Sequence, residues 1–225
     1  ASNVPQQVVL HNGPQTGFSA NYMKLLRELT PDTDFVALAD QDDIWMPDKL
    51  ERALGGLKKC EPGRPALYTA QRWIWDSETN RRCPTPLPTR PPSFRNALIE
   101  NIAPGNTIVM NQAAAELARK AAEFTGNVFA HDWWLYLLIT GAGGQVFVDD
   151  GPPCLLYRQH DGNAIGGRQT LTAQKTRKIA VLKGAFRSRL QENLTALSSV
   201  SHLLTTENNQ LAQAFASARQ ADLMG

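Results

Sequence analysis

Residues 35–50 read FVALADQDDIWMPDKL, an apolar run that stops at a cluster of acids and then meets a proline. Phe35-Val36-Ala37-Leu38-Ala39 has no polar break, as expected of a buried strand in a parallel sheet. Asp40, Asp42 and Asp43 follow at once. Carboxylates crowded at a strand end repel one another unless a hard cation or a cationic ligand neutralises them. In open α/β sheets ligands sit outside the carboxyl ends of the strands, where these acids fall. The first expectation is therefore a divalent cation, magnesium or manganese, holding a diphosphate. The plainer alternative is a polar loop in which Asp43 or Asp48 caps the next helix, but Pro47 at a helix start already explains that helix.

Working outward, strands and helices alternate. Val8-Val9-Leu10 reads as a strand, followed by a loop through Gly13, Pro14 and Gly17. Ser19 to Leu29 has Tyr22, Leu25, Leu26 and Leu29 at helical spacing. After strand 35–39 comes a helix from Pro47 to Lys59, a strand at 65–70, and an alternating segment 72–76 carrying Trp73 and Trp75. Glu78-Thr79-Asn80 reads as a turn. Residues 83–92 are too rich in proline for a central strand or helix interior and read either as a loop over the substrate region or as a plain surface loop. A short helix at 93–100, a strand at 107–110 and a helix capped by Asn111 follow. A helix at 132–140 ends at Gly141, Gly143 and Gly144, and strands at 145–148 and 155–158 close the pattern. This order predicts an α/β sandwich. From Thr170 onward Lys175, Arg177, Lys178, Lys183, Arg187 and Arg189 interleave with apolar residues as a basic amphipathic helix. It is either a helical appendage with a solvated basic face or a peripheral contact with an anionic membrane surface.

The chain has 225 residues and a formal net charge of +2, which argues against nucleic-acid binding driven by bulk electrostatics. Cys60, Cys83 and Cys154 are odd in number and widely spaced, unlike a disulfide framework or a zinc site, so a cytoplasmic location is expected.

Asp40-Gln41-Asp42-Asp43-Ile44-Trp45, Pro47 and Lys49-Leu50 resemble the D-x-D-D-x-W-x-P-x-K-L signature of family 2 glycosyltransferases. The resemblance is closest to the bacterial rhamnosyltransferase-like members that assemble surface polysaccharides. Asn12-Gly13 to Asn21-Tyr22, Gly105-Asn106-Thr107, His131-Asp132-Trp133-Trp134 and Tyr157-Arg158-Gln159-His160 match further blocks in the same order, over roughly residues 8–165. The resemblance implies a GT-A-like α/β/α sandwich with a mixed, mostly parallel sheet over residues 1–168, and a C-terminal helical appendage over 169–225.

It also implies roles for residues. Asp42 would be the direct metal ligand, with Asp40 on the donor ribose or a metal-bound water and Asp43 beside the donor sugar. His160 would complete the coordination sphere, the alternative being a structural or surface histidine. Arg158 suits a phosphate oxygen through its guanidinium fork, the alternative being a salt bridge with Asp149 or Asp161. Asp132 would be the general base for the acceptor hydroxyl, where the plainer account is a helix N-cap. Most members carry Glu-Asp at this point; His131-Asp132 is the rhamnosyltransferase-like form. Gly105 allows close backbone approach to a ligand, and Asn106 can donate to and accept from sugar hydroxyls, against the alternative of a simple turn. One of Trp133 and Trp134 would line the acceptor site beside His131, since successive helical side chains point about 100° apart, the alternative being that both are simply core. Trp45 is expected to pack under the acidic loop.

Family members begin with a strand, a helix and a second strand that hold the nucleobase and ribose, and residues 1–7 cannot supply them. A sheet lacking its first strands exposes apolar edges, so pairing with a second copy or another chain is expected. The expected activity is inverting transfer of a sugar, rhamnose first, from dTDP-rhamnose or a UDP-sugar to a glycan or lipid-linked acceptor. The rival expectation is a truncated, inactive homologue that binds saccharide or a partner enzyme. A magnesium phosphatase using Asp40 as nucleophile fits poorly, because Ile44-Trp45 stands where its pattern has Thr or Val.

Overall fold

The computed structural model describes residues 7–159 and 184–224. His160 and most of the basic amphipathic stretch lie outside the described residues.

The elements run α1 (Phe18–Arg27), β1 (Phe35–Ala37), β2 (Ile44–Trp45), α2 (Lys49–Leu57), β3 (Ala66–Ala70), β4 (Trp73–Asp76) and β5 (Arg81–Pro84). After α3 (Phe94–Ala97) and a 3-10 turn at Gly105–Thr107 come β6 (Val109–Asn111), α4 (Gln112–Phe124), α5 (His131–Gly141), β7 (Gln145–Asp149) and β8 (Leu155–Gln159). The helices α6 (Ala185–Ser199) and α7 (Thr206–Met224) follow. The strands form two four-stranded sheets, ordered β1-β6-β3-β7 and β2-β8-β4-β5.

The α/β class and the mixed sheet are as the sequence predicts, but antiparallel pairs outnumber parallel ones. The reason is β6, which lies between β1 and β3 and runs against both. The apolar run 35–39 is thus not a strand inside a parallel sheet. Only Phe35–Ala37 is strand, β6 is its one partner among the described residues, and Phe35 is 43% exposed. Val8–Leu10 forms no strand and is exposed, since no neighbouring described strand takes its ladder hydrogen bonds. The proline-rich segment begins with the edge strand β5, where Pro84 needs no ladder donor.

Period-two alternation sets the layers. Leu67 and Met110 face a core made with α1, α4 and α5, while Ala66, Tyr68, Ala70 and Val109 face Ala53 and Leu57 of α2. Helix α5 is buried almost all round, the mark of a central helix rather than a surface one. Leu190, Leu194, Leu197 and Val200 of the expected appendage join this same core. Asn208 of α7 ties back by donating to the Thr140 and Gly141 carbonyls at 3.2 and 3.0 Å. No described helix is long and apolar enough to cross a membrane.

Four chain segments meet at one end of the first sheet. They are the acidic loop after β1, the 3-10 turn before β6, the Gln71-Arg72 step from β3 to β4, and the start of α5.

Candidate active site

The acidic loop is held from two sides. Tyr22 of α1 donates its hydroxyl to the Ala39 carbonyl at 2.6 Å and to Asp40 Oδ1 at 2.9 Å. Burial, then the neighbouring Asp40, drive the Tyr22 hydroxyl far above the usual phenol range, so it stays a donor. Asp43 and Asp132 act on it in the same direction, and the His131 ring at the start of α5 stacks on the Tyr22 ring. On the other side Asp43 Oδ2 accepts from Asn106 Nδ2 at 2.5 Å. The Asp43 carboxyl is pushed up to about 6, by burial first and also by Asp40 and Asp42, against the lowering effect of Asn106.

That repulsion is what a cation relieves, and in this respect the acids fit one. Among the described residues no three His, Cys, Asp or Glu side chains converge as a ready-made metal cage. Magnesium is commonly held by one or two carboxylates together with substrate phosphates, so such a cage is not required.

Behind the acids lies a polar network built on Asn106. Its side-chain oxygen accepts from Arg72 Nη1 at 2.9 Å, and its backbone carbonyl accepts from Lys49 Nζ at 2.7 Å. Lys49 is fully buried, with its ammonium 3.4 Å above the centre of the Trp45 ring, a cation–π contact. Burial brings the Lys49 amine down to about 8, while Cys154, Asp43 and Asp40 oppose the fall. Trp45 is therefore a platform for Lys49 beneath the acidic loop. Arg72 lies 4.3 Å over the Tyr157 ring.

Asp132 sits in the first turn of α5, and the capping position belongs to Ala130. Its Oδ2 accepts from the Gly105 backbone N–H at 3.0 Å and its Oδ1 from the Trp133 N–H at 2.7 Å. Each carboxylate oxygen retains a further lone pair for a substrate proton. His131 is buried, its ring stacked on Tyr22 with centroids 3.7 Å apart and planes 15° apart. Neither imidazole nitrogen hydrogen-bonds to a described residue, and burial lowers its basicity. A Cβ on Gly105 would stand 2.8 Å from His131 Nε2, so only glycine fits against this ring.

The structure thus brings together Asp40, Asp43, Gly105, Asn106, His131 and Asp132. Asp42 stands on the same loop between β1 and β2. Other expectations need correction. Asn106 is 1% exposed and its side chain is engaged by Asp43 and Arg72, so it braces the acids and does not face a sugar. Trp134 is wholly buried, and Trp133 is buried with its indole N–H on the Ala97 carbonyl at 2.7 Å, so neither presents a face to an acceptor. The apolar α5 draws both rings into the core. The Arg158 guanidinium lies 5.2 Å from the Trp75 ring centre. Asp149 pairs instead with Arg52 at 2.7 Å and with the Tyr68 hydroxyl at 2.5 Å.

Tyr22, Lys49 and Arg72 were not assigned roles by sequence reading. Lys49 lies inside the quoted acidic-loop stretch and Tyr22 at the end of an upstream block, so position alone marked both. Arg72 carries no such signal.

This mixed α/β scaffold, with a carboxylate cluster at a strand end facing a helix-borne aspartate, is consistent with a glycosyltransferase-like fold. The chain is similar to the dTDP-rhamnosyl transferase RfbG of Shigella flexneri, at 24% identity over 210 residues, covering 88% of this chain and 67% of that protein. That likeness supports a glycosyltransferase relationship in general terms. No protein-family model matches the chain.

Proposed function

We propose that this chain carries the catalytic centre of a metal-dependent, inverting glycosyltransferase of the family 2 type. The donor is a nucleoside diphosphate sugar, and dTDP-rhamnose comes first because of the relative's name. The observation that carries the reading is the convergence on Tyr22 of the acidic Asp40–Asp43 loop and the His131-Asp132 start of α5, which sets a helix-borne carboxylate beside an acidic loop.

Asp42 and Asp40 would hold magnesium or manganese, with His160 as a further ligand. The cation would neutralise charge on the departing diphosphate. Asp43 lies on the donor-sugar side, and Arg158 serves a phosphate oxygen. Asp132, oriented by the Gly105 N–H, takes the proton of the acceptor hydroxyl. The freed oxygen forms a bond to the anomeric carbon from the face opposite the diphosphate. The bond from that carbon to the phosphate oxygen breaks, and its electron pair leaves with the diphosphate. The anomeric configuration therefore inverts. His131 and the Gly105 backbone border the acceptor side, the acceptor being a glycan or lipid-linked glycan. The reaction belongs on the cytoplasmic side, and the basic stretch near Arg187 and Arg189 suits a peripheral contact with an anionic membrane.

The test is a donor screen with manganese, read by product mass, alongside calorimetric titration with dTDP. Manganese-dependent dTDP binding and a product heavier by one deoxyhexose are expected. Binding without turnover leaves a saccharide-binding module. The absence of any metal-dependent heat removes the enzyme reading.

A further inference from the structure

The geometry points to Tyr22 as a positioning residue that orients the Asp40 carboxylate and ties it to the His131-Asp132 end of α5. This rests on the reading of Asp40 as a cation- or donor-side carboxylate.

Tyr22 touches both halves of the site directly. Its single hydroxyl proton serves the Ala39 carbonyl at 2.6 Å and Asp40 Oδ1 at 2.9 Å, pinning backbone and side chain of consecutive residues to one point. The bond to Oδ1 fixes the rotation of the carboxylate and leaves Oδ2 without a hydrogen-bond partner among the described residues. The tyrosine ring cannot swing away, because His131 lies flat against it at 3.7 Å. His131 in turn is backed by Gly105, where even a methyl group would come within 2.8 Å of Nε2. Gly105 donates its N–H to Asp132 at 3.0 Å, which closes the path from the donor-side acid to the acceptor-side base. A displacement of Asp40 is therefore resisted by packing at Asp132, some ninety positions along the chain. Such rigid support is what holds catalytic groups within the narrow tolerance that efficient transfer requires.

Tyr22→Phe keeps the ring and its stack and removes only the hydroxyl. Thermal midpoints of Tyr22→Phe, Asp40→Ala and the double variant, taken with chelator, test the link without any ligand. Tyr22→Phe should lower the midpoint by about 3–6 °C in the native background and by about half that, or less, beside Asp40→Ala. An equal loss in both backgrounds would mean that the hydroxyl serves Ala39 alone and would overturn the proposal. Calorimetry with dTDP and manganese supplies a second readout. Tyr22→Phe should weaken the manganese-dependent binding about tenfold. Unchanged affinity would overturn the positioning role even if the thermal coupling held. If the native chain shows no manganese-dependent heat, the proposed function fails, while the thermal cycle still decides the link between Tyr22 and Asp40.

Discussion

Replacing Asp43 by asparagine should change how stability depends on pH. The Asp43 carboxyl titrates near 6 in the folded chain against an ordinary 3.8, because burial and the neighbouring Asp40 and Asp42 disfavour its charge. A raised carboxyl binds its proton more tightly when folded. Its favourable contribution is complete below 3.8 and is lost as pH climbs through 6. The full shift corresponds to about 3 kcal/mol, of which about 2 kcal/mol develops between pH 4.5 and 7.5. Asp43 is partly open to water, and solvent screening reduces this to about 1 kcal/mol. Asparagine cannot ionise, so relative to wild type Asp43→Asn should gain about 2–4 °C in melting midpoint on going from pH 4.5 to 7.5. Any fixed cost of placing an amide NH2 against the buried oxygen position is the same at both pH values and cancels. Paired melts in chelator at several pH values measure the difference. A midpoint difference, variant minus wild type, that stays flat or falls as pH rises would refute the picture of a carboxylate whose charge is disfavoured by burial and by its acidic neighbours.

Asp132→Asn should lower transfer by about 10²–10⁴-fold while leaving manganese-dependent dTDP binding near wild type, and an undiminished rate would remove Asp132 from the base role. Gly105→Ala forces a methyl group to within 2.8 Å of His131 Nε2 and 3.4 Å of Asp132 Cβ. It should cost about 1–3 kcal/mol in urea unfolding. Lys49→Ala empties a buried site and leaves the Asn106 carbonyl without its donor, at a cost of about 3–5 kcal/mol, whereas Lys49→Met fills the site but still removes the donor and should lose about 1–3 kcal/mol. Because burial brings the Lys49 amine down to about 8, the wild-type chain should gain on Lys49→Met as pH rises from 8 toward 10, and a melt series shows whether it does.

Much of the fold was legible from the chain. The helical spacing of Tyr22, Leu25, Leu26 and Leu29, the Asn111 cap and the strand read at 65–70 correspond to α1, α4 and β3. Asn111 does accept from the Ala114 N–H at 2.9 Å as a cap should. Strand direction was not legible. An apolar pentapeptide looks alike in a parallel and an antiparallel pair, and β1 took its direction relative to β6 from the path of the chain between them. The tryptophan pair failed for a related reason. Sequence marks an indole as large and amphipathic, but whether it meets solvent or core depends on what surrounds α5, and α5 is enclosed.

What the chain settled by itself was local: where helices start, and where an apolar run ends in acids that crowd one another. Charge repulsion, capping and periodicity act over a few residues, so they are written in neighbouring letters. Which groups answer the acids was decided only by folding. Tyr22, Lys49, Asn106 and Arg72 are far apart in the chain and meet through tertiary packing around the first sheet. A buried charge must find its hydrogen-bond partners wherever the interior brings them, and that pairing is a property of three-dimensional proximity.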